Sequence, residues 1–134
     1  MIPDELGRLL DACDAAQIER YVNEPGLAAS VAENLGRHLF FSTDLGRAAA
    51  GAEVFFMCIN TPPNRDGSTD LSYYKAAAES LAAHLARRAD PGRVVVVNKS
   101  TVPIGTARLL ERILSDAGVP DVGVASNPEF LAQG

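Results

Sequence analysis

Three apolar runs in this chain each end in a short string of small polar residues. Ile59 leads into Asn60-Thr61-Pro62-Pro63, Val97 into Asn98-Lys99-Ser100-Thr101-Val102-Pro103, and Ala125 into Ser126-Asn127-Pro128-Glu129-Phe130. Hydroxyl and amide groups of this kind can bind ligand oxygens. Glu129, the single carboxylate among the three, can serve as a general base if its pKa suits the reaction. The second string also opens a helix, whose unpaired N–H groups favour phosphate or another anion. Taken singly, each string is ordinary turn chemistry, and Ser100 or Thr101 ahead of a helix is more often a cap than a ligand contact. Together on one sheet edge they read as a cofactor-and-substrate rim, although the pattern by itself names no reaction.

The elements that must carry these strings follow from the hydrophobic pattern. Leu39-Phe40-Phe41, Val54 to Ile59 and Val94 to Val97 are rich in aromatic or β-branched residues and read as strands, and Val122-Gly123-Val124-Ala125 is a weaker fourth. The second and third runs lack polar alternation, which predicts cover on both faces and a parallel sheet. Helical segments are expected over 4–20, from Pro25 to a stop at Gly36, briefly after Asp44, from Asp70 to about Ala89, and from Pro103 to about Ala117. In the long one, Leu71, Tyr74, Ala78, Leu81 and Leu85 form an apolar stripe. In the last, Ile104, Leu110, Ile113 and Leu114 are expected to point inward, with Gly118 as the stop. The expected fold class is α/β: a partial Rossmann-like parallel sheet of about four strands with flanking helices and right-handed crossovers.

Composition narrows the classes of function. The 134 residues are 47% hydrophobic and 22% charged, the make-up of one globular domain. With 12 basic against 17 acidic side chains the formal charge is −5, the reverse of what a phosphate-tracking nucleic-acid binder needs. No apolar run approaches the roughly 20 residues that span a bilayer, and the N-terminus lacks a secretory pattern, so a soluble, cytoplasmic protein is expected. Cys13 and Cys58 show neither redox nor zinc spacing, and Cys58, inside an apolar run, is expected to be a buried, inert thiol. His38 and His84 read as partly exposed side chains, Tyr73 and Tyr74 as helix packing, and Lys99 as either loop-orienting or solvated.

The order and spacing of Asn60-Thr61-Pro62, Lys99-Ser100-Thr101-Val102-Pro103 and Asn127-Pro128-Glu129-Phe130-Leu131 closely resemble the UDP-glucose/GDP-mannose dehydrogenase family. Glu24-Pro25-Gly26-Leu27, Phe41-Ser42-Thr43-Asp44 and Asp66-Gly67-Ser68-Thr69-Asp70-Leu71 extend the likeness from about Asn23 to Gly134. The resemblance implies an NAD-dependent oxidoreductase that converts the C6 alcohol of UDP-glucose or a related nucleotide sugar to the uronic acid. On that resemblance Asn60, Thr61 and Pro62 match a loop over the cofactor, and Ser100, Thr101 and Val102 the segment near its nicotinamide. Thr101 would help order a water. Glu129 matches a carboxylate of proton transfer and water activation, and Phe130 and Leu131 line the sugar-nucleotide site. Gln133 stands where the family often has Glu, at a position expected to meet substrate or cofactor. No metal is implied.

Against that family pattern, no two glycines here are separated by one residue, so the Gly-x-Gly-x-x-Gly fingerprint is absent, as is the first βαβ unit that carries it. The family's thioester-forming Cys lies beyond the matched region. The chain therefore reads as a truncated NAD-binding domain, residues 23–134, preceded by a helical segment, 1–22, and inactive alone. The strand at Val54 would then present an unpaired edge that invites aggregation, dimerisation or pairing with the Leu39 run. Homo-oligomerisation or association with a larger dehydrogenase chain is an expected partner mode. The competing reading is a non-catalytic nucleotide-binding or subunit-interaction module.

Overall fold

A computed structural model describes residues 24–89, 92–119 and 121–128. The expected helix over 4–20 lies outside the described residues. The chain divides into two compact units, Met1–Arg47 and Ala48–Gly134. In the first, helix α1 (Leu27–Asn34) follows a turn at Pro25-Gly26 and buries Val31. Gly36, in the left-handed region at φ 76°, supports the turn after it, as expected of a helix stop. Helix α2 (Leu45–Ala49) crosses the boundary between the units and is capped by Asp44, whose Oδ1 accepts the Arg47 N–H at 3.0 Å.

The Leu39–Phe41 run is not a strand. His38 and Leu39 both donate to the Asn34 carbonyl, and Gly36 donates to Leu39, so a turn takes up the hydrogen bonds a ladder would need. Leu39 makes one isolated bridge, to Leu35, and Phe40 is 69% exposed. A short apolar run without a partner backbone has nothing to hold it extended, and the left-handed glycine closes the chain locally instead.

The second unit holds strands β1 (Val54–Met57), β2 (Val94–Asn98) and β3 (Val122–Ser126), joined through helices α3 (Ser72–Leu85) and α4 (Thr106–Asp116). The sheet is parallel with order β1-β2-β3; Met57 lies opposite Asn98, and Asn98 opposite Ser126. This is the expected α/β arrangement, with three strands among the described residues instead of four. Among the described residues β1 is an edge strand of the sheet.

Helices α3 and α4 pack on each other and cover one face of the sheet. Tyr74, Ala78, Leu81 and Leu85 from α3, Val94 and Val96 from β2, and Leu110 and Leu114 from α4 make the core there. The other face is less covered than the run at Val54 suggests. Val54 is 51% exposed, Phe56 59%, and Cys58, next on the same side of the extended chain, is also exposed. The expected burial of Cys58 is therefore corrected: β1 ends at Met57, and alternation places the thiol on the open side.

Helix α4 also starts later than its proline suggests. Pro103-Ile104-Gly105 forms a turn, with Gly105 left-handed at φ 94° and the Thr106 hydroxyl donating to the Pro103 carbonyl at 2.8 Å. That turn throws Ile104 outward into full exposure, against the expected inward orientation. Tyr73, expected to pack, is 63% exposed because its neighbour Tyr74 occupies the inward position of α3. Replacing Leu114 by Ala is expected to lower the unfolding free energy by about 2–5 kcal/mol. Phe56→Ser, on the open face, should change it by less than about 1 kcal/mol. Urea unfolding checks both values.

Candidate functional site

Parallel strands end together on one edge, and the loops beyond them must find partners for backbone groups the ladder no longer satisfies. After β1 and β2, Ser100 supplies them. Its hydroxyl accepts the Ile59 N–H at 2.6 Å, and its single proton lies within reach of the Ile59 carbonyl at 2.8 Å and the Met57 carbonyl at 3.0 Å. The Met57 carbonyl also accepts the Lys99 and Ser100 N–H groups, at 3.1 and 3.0 Å. Two residues farther out, the Thr61 hydroxyl donates to the Thr101 carbonyl at 3.0 Å. The third strand end joins the same rim, since Asn127 donates its N–H to the Asn98 carbonyl at 2.9 Å.

The loop leaving β1 is itself preformed. Asp70 donates to the Pro62 carbonyl and Asn64 to the Ser68 carbonyl, at 2.8 and 2.7 Å, closing the stretch between them. At its tip Asp66 Oδ1 accepts both the hydroxyl and the N–H of Ser68. These bonds, the hydroxyl's first, hold the Asp66 carboxyl below the usual carboxylate range. At the entry to α3, the Ser72 N–H does the same for Asp70, whose Oδ1 accepts it at 2.8 Å.

Between the ends of β2 and β3 and the start of α4 lies a cavity of about 320 Å³. Asn98, Ser100 and Ser126 contribute its polar wall, and Val102, Ile104 and Pro128 its apolar one. Of the sequence-derived candidates, Ser100 and Val102 line this cavity. Thr61 and Thr101 meet beside it, Thr101 exposed and Thr61 half-buried. Asn60 is exposed on the β1 loop, and Pro62 contributes its carbonyl to the loop closure. Glu129, Phe130, Leu131 and Gln133 lie outside the described residues. Among the described residues no group of His, Cys, Asp or Glu could hold a metal ion, and no helix is long and apolar enough to cross a membrane.

Asn98, read as part of the second polar string, and Tyr74, read as helix packing, are joined in a way the sequence does not show. Asn98, 1% exposed, ends β2, and its Oδ1 accepts the hydroxyl proton of Tyr74, a fully buried residue of α3. Its Nδ2 is buried with no hydrogen-bond partner, at a typical cost of about 1–3 kcal/mol. Burial outweighs the Asn98 contact and pushes the Tyr74 hydroxyl up to about 12. The available signal was a single amide closing an all-valine run.

Residues 12–134 match the sequence profile of the UDP-glucose/GDP-mannose dehydrogenase family, NAD binding domain. The chain belongs to the UDP-glucose/GDP-mannose dehydrogenase family. It is 38% identical over 141 aligned positions to UDP-glucose 6-dehydrogenase TuaD of Bacillus subtilis (strain 168), covering 97% of this chain and 30% of that protein. It is 47% identical over 114 positions to UDP-glucose 6-dehydrogenase of Rhizobium meliloti (strain 1021), covering 83% of this chain and 25% of the relative. Among solved structures, a UDP-glucose dehydrogenase from Pyrobaculum islandicum superposes with TM-score 0.72 at 34% identity, covering 99% of this chain and 30% of that one. A ternary complex of GDP-mannose dehydrogenase from Pseudomonas aeruginosa gives TM-score 0.74 at 28% identity, with 92% and 29% covered. The chain thus spans less than a third of the length of these relatives.

NAD is the cofactor of this dehydrogenase domain. The residues present fit such a ligand. The strand ends present the hydroxyls of Thr61, Ser100 and Thr101 beside an adjoining cavity. Ser100→Ala is expected to cost about 1–3 kcal/mol of stability by leaving the Ile59 N–H without its acceptor. Amide exchange at Ile59 should quicken while that of Val96 stays slow. For Tyr74, the folded-state pKa lies above the unfolded value of about 10, so its contribution is complete below pH 10. It falls away as the pH rises toward about 12. Unfolding free energies measured across that range should show the decline in the wild type and lack it in Tyr74→Phe.

Proposed function

We propose that this chain provides the nicotinamide-side part of the NAD site in an enzyme that oxidises the C6 alcohol of UDP-glucose or a related nucleotide sugar to the uronic acid. The observation that carries the reading is the joining of the β1 and β2 loops through Ser100 and through Thr61 to Thr101. It gathers small hydrogen-bonding groups at the carboxyl edge of a parallel sheet, the place where such sheets bind ligands. Bound NAD supplies the hydride acceptor, two molecules being reduced for each alcohol taken to the carboxylate, with water supplying the second oxygen.

This chain's own residues bind and orient. Asn60, Thr61 and Pro62 hold the cofactor from the β1 loop, and Ser100, Thr101 and Val102 from the β2 loop. The Thr101 hydroxyl orders the attacking water, and Glu129 accepts the proton that leaves the substrate oxygen, passes it to solvent, and as the restored carboxylate accepts the proton of that water. Phe130, Leu131 and Gln133 contact the nucleotide sugar. Association with another dehydrogenase chain, of the same or greater length, is part of the proposal. The 134 residues contain no Gly-x-Gly pair for the pyrophosphate, so they grip NAD weakly and do not turn over by themselves.

Calorimetric titration of the chain with NAD should show saturable binding, and Thr101→Ala should weaken it by about tenfold, the loss expected for one good hydrogen bond. Incubation with NAD and UDP-glucose should produce no NADH. Absence of any NAD binding would overturn the cofactor assignment, and NADH formation would overturn the proposed inactivity.

A further inference from the structure

We propose that Tyr74 is a positioning residue for the cofactor loops, acting through Asn98 as a buried strut between helix α3 and the carboxyl end of β2. The inference rests on the NAD reading above and adds to it a residue that touches neither cofactor nor substrate.

Asn98 sits where the sheet hands over to its loops. It is the last residue of the central strand, paired across the sheet with Met57 on one side and Ser126 on the other. Its carbonyl holds Asn127, and the two residues after it hang from the Met57 carbonyl. All three loop stems are thus referred to one backbone position. The Tyr74 hydroxyl bonds the side chain at that position, at the point where the ladder stops constraining the chain.

Stability does not explain the pair. Val94 and Val96, on the same face of β2, are buried without polar atoms, and an apolar residue at 98 opposite Phe at 74 would continue that packing. The amide instead leaves its Nδ2 unsatisfied in the interior. What a Tyr–Asn bond adds to apolar contact is direction. It fixes the rotation of the Asn98 side chain and, through it, the height of β2 against α3, whereas hydrophobic contact tolerates sliding. The cavity wall to which Asn98 and Ser100 both contribute is built directly on that fixed point.

The double variant Tyr74→Phe/Asn98→Leu separates placement from stability, because it replaces both polar partners by apolar groups of similar shape. Its thermal midpoint should equal or exceed that of the wild type, while its Kd for NAD, measured by calorimetry on the full chain, should rise at least tenfold. An unchanged Kd would overturn the proposal. If the double variant fails to fold, Tyr74→Phe alone is measured against Leu81→Ala, a core change on the same helix. The strut requires the Tyr74 variant to lose more NAD affinity than the Leu81 variant at equal or smaller loss of stability, and the reverse order overturns it. If the wild-type chain binds no NAD, the cofactor reading fails separately and the strut is judged from amide exchange at Ser100 and Asn127. Tenfold faster exchange in the Tyr74 variant supports it, and equal rates reject it.

Discussion

The carboxyl edge of this sheet depends on how one hydroxyl is shared. β1 and β2 run side by side as far as Met57 and Asn98, and beyond that pair no ladder tells the two chains where to go. Ser100 reaches back across the gap, accepts the Ile59 N–H and shares its proton with carbonyls of the neighbouring loop. Because the site is half-buried, water competes poorly for those groups, and the bonds hold the loops at a set separation. The meeting of Thr61 with Thr101 follows from that separation, as does the cavity beside them.

Behind the edge, the molecule is built unequally. One face of the sheet is packed against α3 and α4 with aliphatic side chains, and that packing is the anchor for everything at the strand ends. Among the described residues the Tyr74–Asn98 pair and Thr106 interrupt its apolar character, and the pair does so at the level where packing gives way to loops. The opposite face carries Val54 and Phe56 in the open, so the edge strand is held by its ladder to β2 and by one-sided burial through Met57.

What the sequence revealed depended on how local each signal was. The valine run of β2 and the apolar run of β1 announced themselves by composition, and adjacency of parallel strands was enough to bring the loops near Thr61 and Thr101 together. The Leu39–Phe41 run carried the same composition but no statement of a partner, and its backbone bonds were claimed by the turn at Gly36. Pro103 looked like a first helical turn because nothing local shows that Gly105 takes the left-handed region and delays the helix to Thr106. Ser100 was legible as a polar residue before a helix, hence as a cap or a ligand contact. Its hydrogen-bond partners within the fold lie about forty residues away, where no window of sequence reaches. Cys58 was misplaced for a related reason: which side of a strand is open depends on what lies across the sheet.

The frame of the rim is made largely of main-chain atoms. Met57, Ile59, Asn98 and Thr101 contribute carbonyls, Lys99 and Asn127 contribute N–H groups, and Ser100 and Thr61 are the side chains that enter the bonding. Asn60, Lys99 and Thr101 can therefore exchange their side chains without re-laying the scaffold beneath them. Those three positions are replaceable fittings on the rim, while Ser100 must be left in place as the bolt.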